Sequence, residues 1–391
     1  MESFKNFLIF SPDYQKLIAF VSTEDQTQNF TIEVDWNYPI NNIKPKLFLE
    51  NQENADNDDE GKKQNGSEEK ISLNNIAVTE ENNLLAYTAT DKTLFLWQID
   101  EKSAKIVSRR SFLRTSSCIR FSKCGKILFL TDKTGDVFEY LCDEENFNTR
   151  GRWIFGHISQ ILDLAVTIDL KYLITSDRDE KIRVTNYPKV HEINSYCMGH
   201  KEFVSAIAII SDSHLISISG DKCIKLWNFI DGKELQSHSF QFVPVLLKVI
   251  SHSHQTGLLC VSSIENTVYI FKYLIIDDTM TLDTLAEKQF KSDVELAVLN
   301  NEFYIEYIRD NDDSLKSGIF IDRVKIEDKT VNFQKIFDNI ALSETDISIK
   351  IVKPFDVSLL FKHGRMFDNV KEYNDRKKAR IENKMKSKKA K

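Results

Sequence analysis

Short runs of alternating apolar and polar residues recur along the chain, each led in by turn-type residues. They read Asp91-Lys-Thr-Leu-Phe-Leu-Trp97, Asp132-Lys-Thr-Gly-Asp-Val-Phe-Glu-Tyr140, Asp179-Glu-Lys-Ile-Arg-Val184, Asp221-Lys-Cys-Ile-Lys-Leu-Trp227 and Glu265-Asn-Thr-Val-Tyr-Ile-Phe271. The leading residues stand 41, 47, 42 and 44 positions apart. Polar stretches and further alternating segments lie between them, as expected for strands about 8–12 residues apart. Two copies share a Gly-His start, Gly156-His157 and Gly199-His200, 43 residues apart. A period of about 40–45 residues with a Gly-His start and a Trp-type strand end marks a β-propeller of WD repeats. Five blades are visible between residues 70 and 275, and segments 4–36 and 293–335 are strand-rich with weaker signatures. The expected fold is all-β, a seven-bladed WD-repeat propeller over residues 1–355, followed by a C-terminal motif and basic tail over 356–391. Closing the ring removes sheet edges, which keeps so β-rich a chain from pairing with others.

The repeat carries an internal hydrogen-bond logic. A His leading into a blade reaches a Ser or Thr on the second strand, a turn Asp completes the relay, and a Trp ends it. His200, Ser217, Asp221 and Trp227 fit this pattern. His157, Thr175 and Asp179 fit its first three members, with Thr185 in place of the Trp. Such groups are expected to be buried, each satisfying the next. Residues 50–70 break the pattern: eight acids, three lysines and Ala55 as the one apolar residue, read as a disordered acidic insertion.

Charge is unevenly spread. Residues 371–391 carry ten Lys/Arg and three Asp/Glu; against −7 for the whole chain, this leaves −14 on the other 370 residues. A basic tail on an acidic body points to a polyanionic partner. The six cysteines form no C-x-x-C pair and have irregular spacing, which fits a reducing compartment. No apolar run approaches the length of a membrane span, and Met1-Glu2-Ser3-Phe4-Lys5 does not begin a signal peptide, so no membrane partner is expected.

No catalytic constellation is present: the chain has no G-x-S-x-G, G-x-x-x-x-G-K-[ST], H-E-x-x-H or G-x-G-x-x-G. His252 and His254 would share a face if on a strand, but no third ligand type stands near them in sequence, so no metal site is expected. The chain is expected not to be an enzyme and to hold no cofactor of its own.

One block is more specific than a generic repeat. Ser176-Asp-Arg-Asp-Glu-Lys-Ile-Arg183 with Gly199-His-Lys-Glu-Phe-Val-Ser205 resembles the hallmark of the WD-repeat, non-catalytic subunit of eukaryotic tRNA (guanine-N7-)-methyltransferase. Gly156-His157-Ile158-Ser159 with Asp163, and Asp356-Val-Ser-Leu-Leu-Phe-Lys-His-Gly364, are similar to the same family. The resemblance implies a heterodimer with a Rossmann-type catalytic subunit, which binds S-adenosylmethionine and methylates N7 of a guanine in the tRNA variable loop. The propeller then supplies no reacting group; it stabilises its partner and helps hold the tRNA.

Read on their own, Asp177, Asp179, Glu180, Lys181 and Arg183 pack charge into a hairpin whose alternate side chains point outward. With Lys201 they are the candidate partner-binding set, pairing with opposite charges on the catalytic subunit. Asp179 also has a structural duty in the repeat, whereas Arg178 and Arg183 have none. In the tail, Arg376, Lys377, Lys378, Arg380 and Lys384 are candidates for neutralising tRNA phosphates. Rival readings of the same run are plain solubility or a nuclear localisation signal, and the latter makes the nucleus the expected location. The alternative function is a WD-repeat adaptor of another complex, such as a ubiquitin ligase.

Overall fold

In the computed structural model, residues 7–13, 16–22 and 27–33 are described, together with 73–338 apart from 80–83, 100–103, 300, 311–316 and 328–329, and residue 360. The acidic insertion at 50–70 and the tail candidates Arg376, Lys377, Lys378, Arg380 and Lys384 lie outside the described residues. The chain divides into two compact units, Met1–Phe355 and Asp356–Lys391.

The first unit is an all-β WD40 propeller. Its blades are six four-stranded antiparallel sheets, each built from consecutive strands. We label them blade A (73–111), B (116–156), C (161–197), D (204–239), E (244–289) and F (294–338). The expectation of seven blades is corrected to six: the N-terminal sheet of Phe7–Asp13, Lys16–Ser22 and Thr27–Glu33 has three strands, one short of the repeat. First strands of successive blades lie side by side, and that of the N-terminal sheet touches that of blade F.

The core lies between blades rather than within one. Leu84, Leu96, Ile119, Leu130 and Phe138 join A to B, and Ile174, Val184, Val204, Leu215 and Trp227 join C to D. Ile216, Leu226, Val261 and Phe271 join D to E. Each such side chain, fully buried, stabilises by about 1.5–3 kcal/mol. Because neighbours cover both faces, the second strands are buried along nearly their whole length: Leu84–Ala89 entirely, and Tyr172–Asp177 and His214–Ser219 from their second residue. They therefore read as near-continuous apolar runs rather than as clean alternation. Outer strands such as Lys233–Ser239 meet solvent and read as polar.

A conserved hairpin geometry links the second and third strands. Thr88 faces Leu94, Thr131 faces Val137, Ser176 faces Ile182, Ile218 faces Ile224 and Ser262 faces Val268. Four residues past the first of each pair, the backbone is left-handed: Lys92 (φ 65), Gly135 (φ 97), Glu180 (φ 72), Lys222 (φ 66) and Asn266 (φ 62). At blade B only glycine serves, since a Cβ on Gly135 would strike the carbonyl oxygens of Ser159 and His157. This register corrects one point of the repeat. Thr134, not Asp132, occupies the place of Asp91, Asp179, Asp221 and Glu265, which removes the irregular 41 and 47 spacings.

Candidate functional site: a docking face on blades C and D

The residue leading into each blade is set by the same frame. Four positions before the first paired residue stand Phe112, His157, His200, Phe240 and Phe290. The backbone N–H of four of them donates to the left-handed turn of the preceding blade: Phe112 to Lys92 O (2.9 Å), His157 to Gly135 O (2.8 Å), Phe240 to Lys222 O (2.7 Å) and Phe290 to Asn266 O (3.0 Å). At these four junctions the main chain does one job, while the side chain differs.

In blade D, His200 is 4% exposed. Its Nε2 lies 2.7 Å from Ser217 Oγ and its Nδ1 2.9 Å from Asp221 Oδ2, and Trp227 Nε1–H donates to Ser217 Oγ at 2.8 Å. Burial alone would raise the Asp221 carboxyl; the hydrogen bond and charge of His200, with the N–H groups of Lys201 and Cys223, instead hold it at about 2. A Cβ on Gly199 would displace the Glu234 carboxylate and crowd the Trp227 ring, so glycine before His200 lets both pack close. In blade C, His157 Nε2 lies 2.8 Å from Thr175 Oγ1. The acid is corrected here: Asp177, not Asp179, contacts His157, with Oδ2 at 3.1 Å from Nδ1. Asp177 Oδ1 also accepts the N–H groups of Asp179 and Lys181, both at 2.9 Å, so one carboxylate fixes both turn and histidine. The hydroxyl of Thr185, which stands in the Trp position, is buried without a hydrogen-bond partner among the described residues.

The charged hairpin does not simply turn alternate charges outward. Asp177 is 2% exposed and Arg183 9%. Asp179, Glu180 and Lys181 are half-buried, and Lys201 is exposed. Arg183 stacks over the Phe155 ring at 4.5 Å and donates one hydrogen bond, to Gly156 O at 3.2 Å; its Nε has no partner. No carboxylate pairs with it among the described residues, and burial pushes its pKa down. A guanidinium carries five donors, so this one is left under-satisfied beside the surface.

Around Arg183 lie apolar side chains that sequence reasoning missed. Ile158 is fully exposed, Met198 is 57% exposed and Tyr196 42%. Tyr196 is the cross-strand partner of Arg183, Met198 follows two residues on, and the Arg178 N–H donates to Gln160 O (2.9 Å), tying the charged turn to the loop that carries Ile158. The signal was present: an isoleucine directly after the Gly-His of a polar loop has no core face to occupy. Exposed apolar side chains rimmed by Arg178, Asp179, Glu180, Lys181 and Lys201 have the make-up of a protein interface, an apolar centre with a polar rim. His252 and His254, which would share a face only on a strand, lie instead in the exposed turn after the first strand of blade E.

Comparison with known proteins places the chain among relatives of one family. The family described as tRNA methyltransferase TRM82 WD40 domain matches residues 25–144 and 141–271. A protein of Aedes aegypti named tRNA (guanine-N(7)-)-methyltransferase non-catalytic subunit wuho is 33% identical over 97% of this chain and 96% of its own. Its namesake from Culex quinquefasciatus is 31% identical over 94% of each, and that of Drosophila melanogaster 32% over 80% of this chain and 75% of its own. Among solved structures, the WD40 β-propeller domain of Doa1 is 17% identical, covers 68% of this chain and 82% of that domain, and superposes with a TM-score of 0.50, a likeness of fold alone.

Proposed function

We propose, from the premise that this chain belongs to the WD-repeat family of non-catalytic tRNA (guanine-N7-)-methyltransferase subunits, that the face around Arg183 docks the catalytic subunit. The chain is the scaffold of that enzyme and supplies no reacting group. The single observation carrying the docking reading is Arg183: a largely buried arginine whose Nε is unpaired and which has no carboxylate partner among the described residues, framed by exposed Ile158, Tyr196 and Met198. Burying a charge is costly unless it is paired, so an acceptor brought by a partner relieves a cost already present in the free subunit. The apolar trio supplies buried area, and Asp179, Glu180, Lys181 and Lys201 supply selectivity and association rate rather than the bulk of the affinity.

The pair would form a heterodimer in which the partner holds S-adenosylmethionine and carries out methyl transfer to N7 of a guanine in the tRNA variable loop. The lysines and arginines of residues 371–391 add phosphate contacts, which would make tRNA binding fall steeply with salt. The same basic run serves nuclear import.

Co-expression with a catalytic methyltransferase subunit, followed by co-purification and a tRNA methylation assay, tests the proposal. Ile158→Asp should leave the melting curve unchanged, since the side chain is fully exposed, yet reduce co-purification. Arg183→Met keeps the stack on Phe155 but removes the donors, and should weaken assembly about tenfold or more. If both variants assemble as the wild type does, docking is elsewhere. If the partner methylates tRNA equally well alone, the scaffold role itself falls.

A further inference from the structure

The first strands of the blades surround the propeller axis, and one rung of that lining is chemically distinctive. Two residues past each pair Asn75↔Thr88, Cys118↔Thr131, Asp163↔Ser176, Ala206↔Ile218, Leu246↔Ser262 and Glu295↔Glu306 stand Ala77, Arg120, Ala165, Ala208, Lys248 and Ala297. Four blades contribute a methyl group and two contribute a long cation. All six positions are half-buried, and the Arg120 side chain keeps 41% of its surface, so the rung borders open space rather than a packed core.

The two cations are satisfied unequally. Arg120 donates to Asp163 Oδ1 at 2.9 Å and to Ile119 O at 3.0 Å. Asp163 is saturated in turn: Oδ1 also takes the Leu164 N–H (2.9 Å) and faces Cys118 Sγ (3.6 Å), and Oδ2 takes the Ile207 N–H (3.0 Å). Lys248 makes no hydrogen bond or ion pair among the described residues. Burial lowers its pKa and the nearby Arg120 charge lowers it further, with the Glu295 and Asp163 carboxylates opposing. Glu306, directly across from Glu295, adds no second charge at pH 7: burial, then Glu295, push its carboxyl up to about 8. An ammonium in a lined space, under the influence of a like charge and with no hydrogen bond or ion pair among the described residues, is unfavourable as it stands.

We propose that the axis of the propeller is a binding site for a small oxyanion, bridged between the Lys248 ammonium and the free edge of the Arg120 guanidinium, with the alanines of blades A, C, D and F leaving it room. The pairing is charge-assisted on both sides, and Arg120 is held in position by Asp163 before the ligand arrives. Nothing in the docking face enters this site, so its failure would leave the docking reading untouched.

Inorganic phosphate is the probe, titrated into the full-length chain with sodium chloride at matched ionic strength as the control. Phosphate should raise the melting temperature in a saturable way, by mass action on the folded state. Lys248→Met should weaken phosphate binding about tenfold or more, the worth of one charge-assisted hydrogen bond. It should also melt no lower than wild type without phosphate, because an unpartnered cation is replaced by an apolar side chain of similar length. Equal responses to phosphate and chloride would overturn the proposal. So would a phosphate response that survives in a folded Lys248→Met.

Discussion

The junctions leading into blades C and D and those leading into blades B and E solve one packing problem with opposite chemistry. At C and D a histidine bonds a second-strand hydroxyl, Thr175 or Ser217, and a carboxylate, Asp177 or Asp221. At B and E the same position is Phe112 or Phe240, the hydroxyl position is Leu130 or Val261, and the third-strand position is Tyr140 or Phe271. Phe240 stacks on Phe271 with centroids 5.4 Å apart, where His200 meets Trp227 edge-on at 5.8 Å. At all four junctions the set is consistent: a polar lead-in comes with a polar second strand, an aromatic one with an apolar second strand. A half-satisfied polar network is worse than an apolar core, so the substitutions must travel together.

The sharpest way to break this comparison is His200→Ala, which strands Ser217 and Asp221 together and opens a cavity. The expected loss is roughly 3 kcal/mol in urea unfolding, with the m-value unchanged; a change within about 0.5 kcal/mol would show the relay to be ornamental. Next comes the reverse error, Phe240→His, which places an imidazole opposite Val261 with no hydroxyl to bond. It should cost roughly 2 kcal/mol. A smaller, more discriminating effect is coupling. His200→Phe combined with Ser217→Val should be less damaging than the sum of the single changes, by roughly 1 kcal/mol, whereas strict additivity would mean that the two residues do not act as a unit.

The finest distinction is in acid. The Asp221 carboxyl is held at about 2, below its ordinary value near 3.8. A depressed folded-state pKa means that its stabilisation is complete above about pH 4 and is lost as pH falls toward 2. Comparing urea midpoints of wild type and Asp221→Asn between those limits should show the wild type losing its advantage as pH drops. Parallel curves would separate Asp221 from the acid response.

Much of this protein was legible from sequence because it is local. The period, the hairpin and the four-member relay of blade D fall within one repeat, so one blade's own residues announce them. The identity of the acid in blade C was less legible, because Asp177 and Asp179 are both plausible by spacing. The turn decides for Asp177, whose one carboxylate accepts two backbone N–H groups and still reaches His157. Arg183 looked like a surface charge because its strand alternation points outward; the ring of Phe155, contributed by the neighbouring blade, covers it. Exposure of Ile158 beside that arginine, and the rung of Ala77, Arg120, Ala165, Ala208, Lys248 and Ala297, likewise bring together residues from different repeats. Sequence periodicity fixes what each blade is, since hairpin hydrogen bonds join near neighbours. What blades make together, the exposed apolar and charged surface around Arg183 and a charged axis, depends on stacking them around a common centre, and only the tertiary structure sets that geometry.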